Sequence, residues 1–118
     1  MSVVLFSCKK KDETDTTAPT LTITRPANGD TVSASAIRIT ATMGDNTDLH
    51  EAEVSVISGT DTFLMASPYV HELSTYTYDT TVTPAPMVMS VRAATLMVHV
   101  EDHHDNMTMK SVSFFVKP

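Results

Sequence analysis

A chain of 118 residues has room for one folded domain and a short tail, but not for two hydrophobic cores. Its hydrophobic content of 42% and charged content of 19% are typical of a globular rather than a disordered protein. The formal net charge of −6 argues against nucleic acid as a partner, because an acidic domain lacks the basic patch that replaces phosphate counterions.

The N-terminus contains a short apolar run, Val3–Phe6, followed by Ser7 and Cys8. With Leu5 three positions before the cysteine, this order resembles the lipobox of bacterial lipoproteins. The resemblance implies cleavage before Cys8 and acylation of that residue, and more than one acyl chain gives lasting membrane attachment. Because the apolar run is shorter than a full signal, we interpret residues 1–7 as a remnant signal segment. The alternative is a frayed N-terminus with an incidental cysteine.

Residues 8–17 are predicted to form a flexible tether, because their charges and threonines cannot bury apolar surface. Lys9–Lys11 followed by acidic residues resembles the surface-export signal of Bacteroidetes lipoproteins. This resemblance implies attachment to the bacterial outer membrane or the cell surface. Residues 18–118 are predicted to form the folded domain.

Apolar residues that alternate with polar ones predict strands through most of this domain. The clearest alternations are Leu21/Ile23, Ile37/Ile39/Ala41, Ala52/Val54/Val56, Leu96/Val98/Val100 and Val112/Phe114/Val116. Residues 75–82 are also strand-like, 62–65 are predicted to be a short edge strand, and 87–91 either a strand or a packed loop. Seven or eight short strands with turn signals roughly every 8–12 residues are typical of a β-sandwich.

Several segments resemble bacterial immunoglobulin-like domains, including cadherin-like and fibronectin-like modules. They are Thr16–Thr20, Pro26–Gly29, Asp45–Asn46 with Leu49, and Val98–Asp102 leading through Asp105–Asn106 into the last strand. In that family the penultimate loop often reads Asp-x-x-Gly-Asn, whereas this chain lacks the glycine. The resemblance implies an all-β fold, an immunoglobulin-like antiparallel β-sandwich of seven or eight strands. It extends to short Bacteroidetes lipoproteins made of one such domain.

Acidic residues gather in segments that such a sandwich brings to one pole. These are the start of the first strand, the second-to-third loop and the last hairpin loop, and they carry Asp12, Glu13, Asp15, Asp45, Asn46, Asp48, Glu101, Asp102, Asp105 and Asn106. Calcium takes oxygen ligands of this kind, and cadherin-like relatives bind calcium at this pole. The alternative is that these side chains only cap their own turns.

Histidines belong to or flank the same pole, while His71 has no predicted place. Imidazole binds zinc and copper, and Met97, Met107 and Met109 offer sulfur that suits Cu(I). The alternative is exposed loop histidines and gap-filling methionines. The candidate ligands for calcium, or for zinc or copper, are Asp45, Asp48, His50, His99, Asp102, His103, His104 and Asp105.

The sequence shows no Gly-x-Ser-x-Gly, phosphate-loop or His-Glu-x-x-His motif, and we expect no catalysis and no required cofactor. The leading hypothesis is a non-enzymatic cell-envelope lipoprotein that serves as an adhesion, assembly or accessory module. Its expected partners are the membrane, through the lipid, and another envelope protein. Recognition would use the pole formed by residues 44–50 and 101–107, or an edge strand. The alternative is a metal-binding envelope domain.

Overall fold

The computed structural model describes residues 16–118. Within this range it contains eight β-strands and no helix, so no helix there could cross a membrane. The strands are β1 (Thr20–Arg25), β2 (Thr31–Ser33), β3 (Ile37–Gly44), β4 (Leu49–Ser58), β5 (Asp61–Ala66), β6 (Thr75–Val82), β7 (Arg92–Asp102) and β8 (Met107–Lys117). Residues 1–15 lie outside the described range. They include the predicted signal segment 1–7, the predicted lipidation site Cys8, and the first part of the predicted tether with Asp12, Glu13 and Asp15.

The strands form two sheets, one of three strands in the order β1-β3-β6 and one of five in the order β2-β8-β7-β4-β5. Neighbouring strands run antiparallel, except that β2 pairs with β8 in parallel. This arrangement confirms the predicted all-β, immunoglobulin-like sandwich.

The core lies between the two sheets and follows the alternation in the sequence. Strand β3 buries Ile37, Ile39, Ala41 and Met43, and the facing sheet buries Val54, Val56, Leu96, Val98, Val100, Phe114 and Val116. Burying one such large side chain stabilises the fold by about 1.5–3 kcal/mol. Because the side-chain period of a strand is two, a register slip by one residue would turn these side chains to solvent.

Three segments differ from or refine the sequence prediction. Strand β2 was not predicted, because Val32 is its only apolar residue. Residues 87–91 form a packed loop rather than a strand, with Val88 buried between the exposed Met87 and Met89. The β7–β8 hairpin is longer than the apolar alternation of Val112, Phe114 and Val116 predicts, because its ladder continues through pairs of one polar and one apolar residue as far as Glu101 and Met107.

The fold brings several chain segments to one end of the sandwich. Strand β1 begins with Thr20 opposite Gly44, and β4 begins with Leu49 opposite Asp102. The loop between β5 and β6 joins them, because the Leu49 amide donates to the Leu73 carbonyl and the Glu72 amide donates to the Leu49 carbonyl. We call this end, comprising residues 45–50, 67–74 and 101–106, the histidine pole. The predicted gathering of the second-to-third and last hairpin loops is confirmed.

Candidate functional site

Three imidazole rings meet at the histidine pole. The ring centroids of His50 and His103 are 4.5 Å apart, those of His71 and His103 4.7 Å, and those of His50 and His71 5.4 Å. One nitrogen from each ring lies within 4.8 Å of the other two. Among residues 16–118, this triad is the one group of three or more His, Cys, Asp or Glu side chains whose potential ligand atoms converge.

Each histidine of the triad directly follows a residue that is anchored in the interior. Leu49, Val70 and Asp102 are 0%, 1% and 1% exposed, and they precede His50, His71 and His103. The three imidazoles therefore extend outward from fixed backbone positions rather than from loose loop tips.

A β-bulge gives His50 its direction. Leu49 pairs with Asp102 and Glu51 pairs with Glu101, so His50 is an extra residue on β4 without a partner on β7. A bulge bends its strand and re-aims a side chain. By alternation His50 would share the inward row of Ala52 and Val54, but at the bulge Leu49 fills the core instead and His50 is left exposed.

Two carboxylates lie beside the triad. An Asp48 oxygen is 3.9 Å from Nε2 of His103, and a Glu72 oxygen is 3.7 Å from Nε2 of His71. Both distances exceed a direct hydrogen bond. The carboxylates are close enough to orient an imidazole or to approach an ion held by the rings.

Asp102, a predicted ligand, instead organises the last hairpin loop. Its carboxylate accepts hydrogen bonds from the amide nitrogens of His104 (2.8 Å) and Asn106 (3.0 Å) and from Nδ2 of Asn106 (2.9 Å). Because the residue is 1% exposed and both oxygens already accept donors, it is a loop-forming group. Asp102 contributes to the triad indirectly, because the loop that it organises positions the adjacent His103.

The other predicted acidic ligands do not converge with Asp102. Asp45 accepts hydrogen bonds from the amide and hydroxyl of Thr47 through one oxygen, which is turn capping. Its other oxygen is buried without a hydrogen-bond partner among the described residues. Asp105 is exposed and has a φ of 64°. Glycine adopts a positive φ of this kind with less strain than aspartate does.

His99 and His104 are not members of the triad. His99 lies on β7 between Glu53 and Met109 in the ladder, and its Nε2 is 3.5 Å from a Glu101 oxygen. The side chain of His104 is exposed, and its backbone amide donates a hydrogen bond to the Asp102 carboxylate. Conversely, the sequence left His71 unplaced, because it lies in an irregular loop whose position depends on backbone hydrogen bonds to Leu49.

A second surface feature is the outward face of the five-stranded sheet. Ser55 faces Met65 on one side and Met97 on the other, and cross-strand partners share a face. Farther along, Met109 pairs with His99 and Phe115 with Ala93. The exposed large side chains of this outer face are Met65 (66%), Met97 (42%), Met109 (54%) and Phe115 (43%). A shallow groove of about 530 Å³ runs between Met65, Ile57, Thr95 and Met97.

Comparison with known proteins decides the family. Residues 19–98 match the family described as bacterial Ig domain. The chain belongs to this family. Among solved structures, a crystallised engineered protein is similar over 85% of this chain, with a TM-score of 0.59 and 16% sequence identity. The chain spans 20% of that protein's length, and at this identity the likeness concerns the fold alone. No curated protein matches the chain.

As a bacterial Ig domain, the chain fits a non-enzymatic accessory module. The matched residues include His50 and His71 but end before the last hairpin loop, which carries His103. Membership of the bacterial Ig domain family therefore accounts for the sandwich without assigning a role to the triad or to the outer face.

Proposed function

We propose that this bacterial Ig domain is a non-catalytic docking module of the cell envelope, attached to a membrane through Cys8 and bound to another envelope protein. The observation that carries the docking role is the group of exposed methionines on the outer face, where Met65 and Met97 flank Ser55 and Met109 pairs with the next outward residue of β7, His99. Exposed apolar patches of this kind mark interaction surfaces when they are contiguous.

The chemistry of the outer face indicates what kind of partner fits it. Methionine side chains are flexible and polarizable, so Met65, Met97 and Met109 adapt to varied apolar shapes. Toward the histidine pole the same face continues into acidic rows, in which Glu53 pairs with His99 and Glu51 with Glu101. A complementary partner presents an apolar patch bordered by lysine or arginine.

The anchor is tested by metabolic labelling with radioactive palmitate in a bacterial host that acylates lipoproteins, with the chain from Leu5 onward placed behind a complete export signal. We expect the parent chain to be labelled and the Cys8→Ala variant to be unlabelled, with both accumulating to similar levels. Equal labelling of the two proteins would refute the anchor. The lipobox-like order of Leu5, Ser7 and Cys8 supports this prediction.

The docking surface is tested in cells with a photo-crosslinking amino acid placed at one position at a time. Met97 probes the outer face, Asp105 probes the histidine pole, and Thr42, exposed on the three-stranded sheet, is the control. We expect a discrete adduct with an envelope protein from position 97 and none from position 42. Adducts from position 105 alone would assign recognition to the pole instead, and the absence of adducts from all three would refute docking.

A further inference from the structure

We propose that His50, His71 and His103 bind one divalent transition-metal ion, best matched by zinc, at the histidine pole. This inference is independent of docking through the outer face, because its ligands lie at the end of the sandwich. The arrangement that carries it is the convergence of three imidazole nitrogens from three separate chain segments within 4.8 Å.

The distances are close to those of a metal-loaded site. With zinc–nitrogen bonds of about 2.0–2.1 Å in tetrahedral geometry, ligand nitrogens are separated by about 3.3 Å. The nitrogens of the triad must therefore approach one another by at most about 1.5 Å. His50 and His103 are exposed, so rotating their side chains toward His71 would displace no core residue.

The carboxylates beside the triad favour zinc. The planes of the three rings are inclined to one another by 52°, 62° and 69°, so no two of the rings stack in parallel. Asp48, whose oxygen is 3.9 Å from Nε2 of His103, would move toward the rings to become the fourth ligand, while Glu72, 3.7 Å from Nε2 of His71, would accept a hydrogen bond from that nitrogen when the other nitrogen of His71 binds the ion. Carboxylates commonly orient zinc-binding histidines in this way.

The nitrogen donor set also separates this site from a calcium site. Calcium takes six to eight oxygen ligands, whereas three imidazoles suit zinc, copper and nickel. Two of the acidic residues first considered for calcium, Asp45 and Asp102, direct carboxylate oxygens at their own loops. Copper(II) should also bind the triad, because it exceeds zinc in affinity for most nitrogen sites.

Titration calorimetry with zinc chloride near neutral pH tests the proposal. The sample is the full chain with Cys8→Ser, without an affinity tag and treated with a chelator to remove metal. The serine removes the one thiol of the sequence, and the absence of a histidine tag removes a competing site. We expect one zinc per chain with a dissociation constant of about 10 μM or tighter. His50→Ala, His71→Ala and His103→Ala should each weaken binding at least about tenfold.

His99→Ala and His104→Ala are the matched controls, since one histidine lies near the pole on β7 and the other follows His103 directly. We expect both to retain zinc affinity within about threefold of the parent. Circular dichroism of each metal-free variant, compared with the parent, establishes that the sandwich is intact. Where an alanine variant does not fold, the corresponding His→Gln variant replaces it.

A spectroscopic readout identifies the donors directly. X-ray absorption of the zinc-loaded chain should show three nitrogen ligands of imidazole type and one oxygen. Absence of zinc binding by the parent, or binding that survives substitution of all three histidines, would overturn the proposal. A thermal shift with calcium that is lost in Asp48→Asn, without any shift with zinc, would overturn it in favour of an oxygen-ligand site.

Discussion

Replacement of Asp102 by alanine removes the acceptor for three hydrogen bonds that hold the last hairpin loop. A hydrogen bond to a charged group contributes about 1.5–3 kcal/mol net, but the two donors on Asn106 regain water once the loop opens. We therefore expect the free energy of unfolding to fall by about 2–4 kcal/mol. For a domain of this size, that corresponds to a decrease in Tm of about 10–20 °C.

Urea unfolding followed by circular dichroism measures this loss. An m value equal to that of the parent would show that the variant exposes the same surface on unfolding, so that the two free energies can be compared directly. Asp102→Asn retains one acceptor oxygen but points an amide at Asn106, so about half of the loss should remain. Asp105→Asn is the control in the same loop, and it should change stability by less than about 0.5 kcal/mol. A loss below about 1 kcal/mol for Asp102→Ala would refute the view that this buried carboxylate holds the loop.

Three further predictions concern other parts of the sandwich. Leu96→Ala should cost about 2–5 kcal/mol in urea unfolding because it leaves a cavity between the sheets, whereas the exposed neighbour Met97→Ala should cost less than about 0.5 kcal/mol; equal losses would contradict the assigned register. Asp105→Gly should raise Tm by a few degrees, because glycine adopts the positive φ of this position without strain, and a lowered Tm would contradict this. Arg38 hydrogen-bonds Asp79 and lowers the pKa of that carboxyl. The ionised carboxylate therefore stabilises the fold at pH values above the ordinary carboxyl pKa, and this contribution is lost as the pH falls through the lowered pKa. The difference in Tm between the parent and Asp79→Asn should accordingly shrink in acid.

The sandwich could be predicted from the sequence because burial between two sheets imposes a period of two. Strand β3 shows this directly, since Ile37, Ile39 and Ala41 alternate with polar residues in the sequence and are 0% exposed in the structure. Strand β2 escaped prediction because three residues with one valine carry no period. Its pairing depends on the main chain of β8, which the sequence pattern does not encode.

The histidine triad was predicted in part, because strand periodicity places the residues at strand ends but not those in irregular loops. His50 and His103 flank strands whose ends the sandwich topology brings together, so they could be assigned to the pole. His71 could not, because an irregular loop has no periodicity and is held by hydrogen bonds between Leu49 and residues 72 and 73. The role of Asp102 was hidden as well, since a carboxylate that folds back on its own loop looks the same in a sequence as one that faces solvent.

The point at which the chain enters the sandwich limits how an anchored molecule can stand on a bilayer. The Thr108 hydroxyl donates to the Pro19 carbonyl at 2.6 Å, and Thr20 pairs with Gly44, so the domain begins at the end of the sandwich that carries the triad. If Cys8 bears the acyl chains, ten residues from 8 to 17 separate the lipid from this end by at most about 35 Å. The end of the sandwich that carries the imidazoles would then stay within this distance of the membrane, and a neighbour in the same membrane could reach both the triad and Met97.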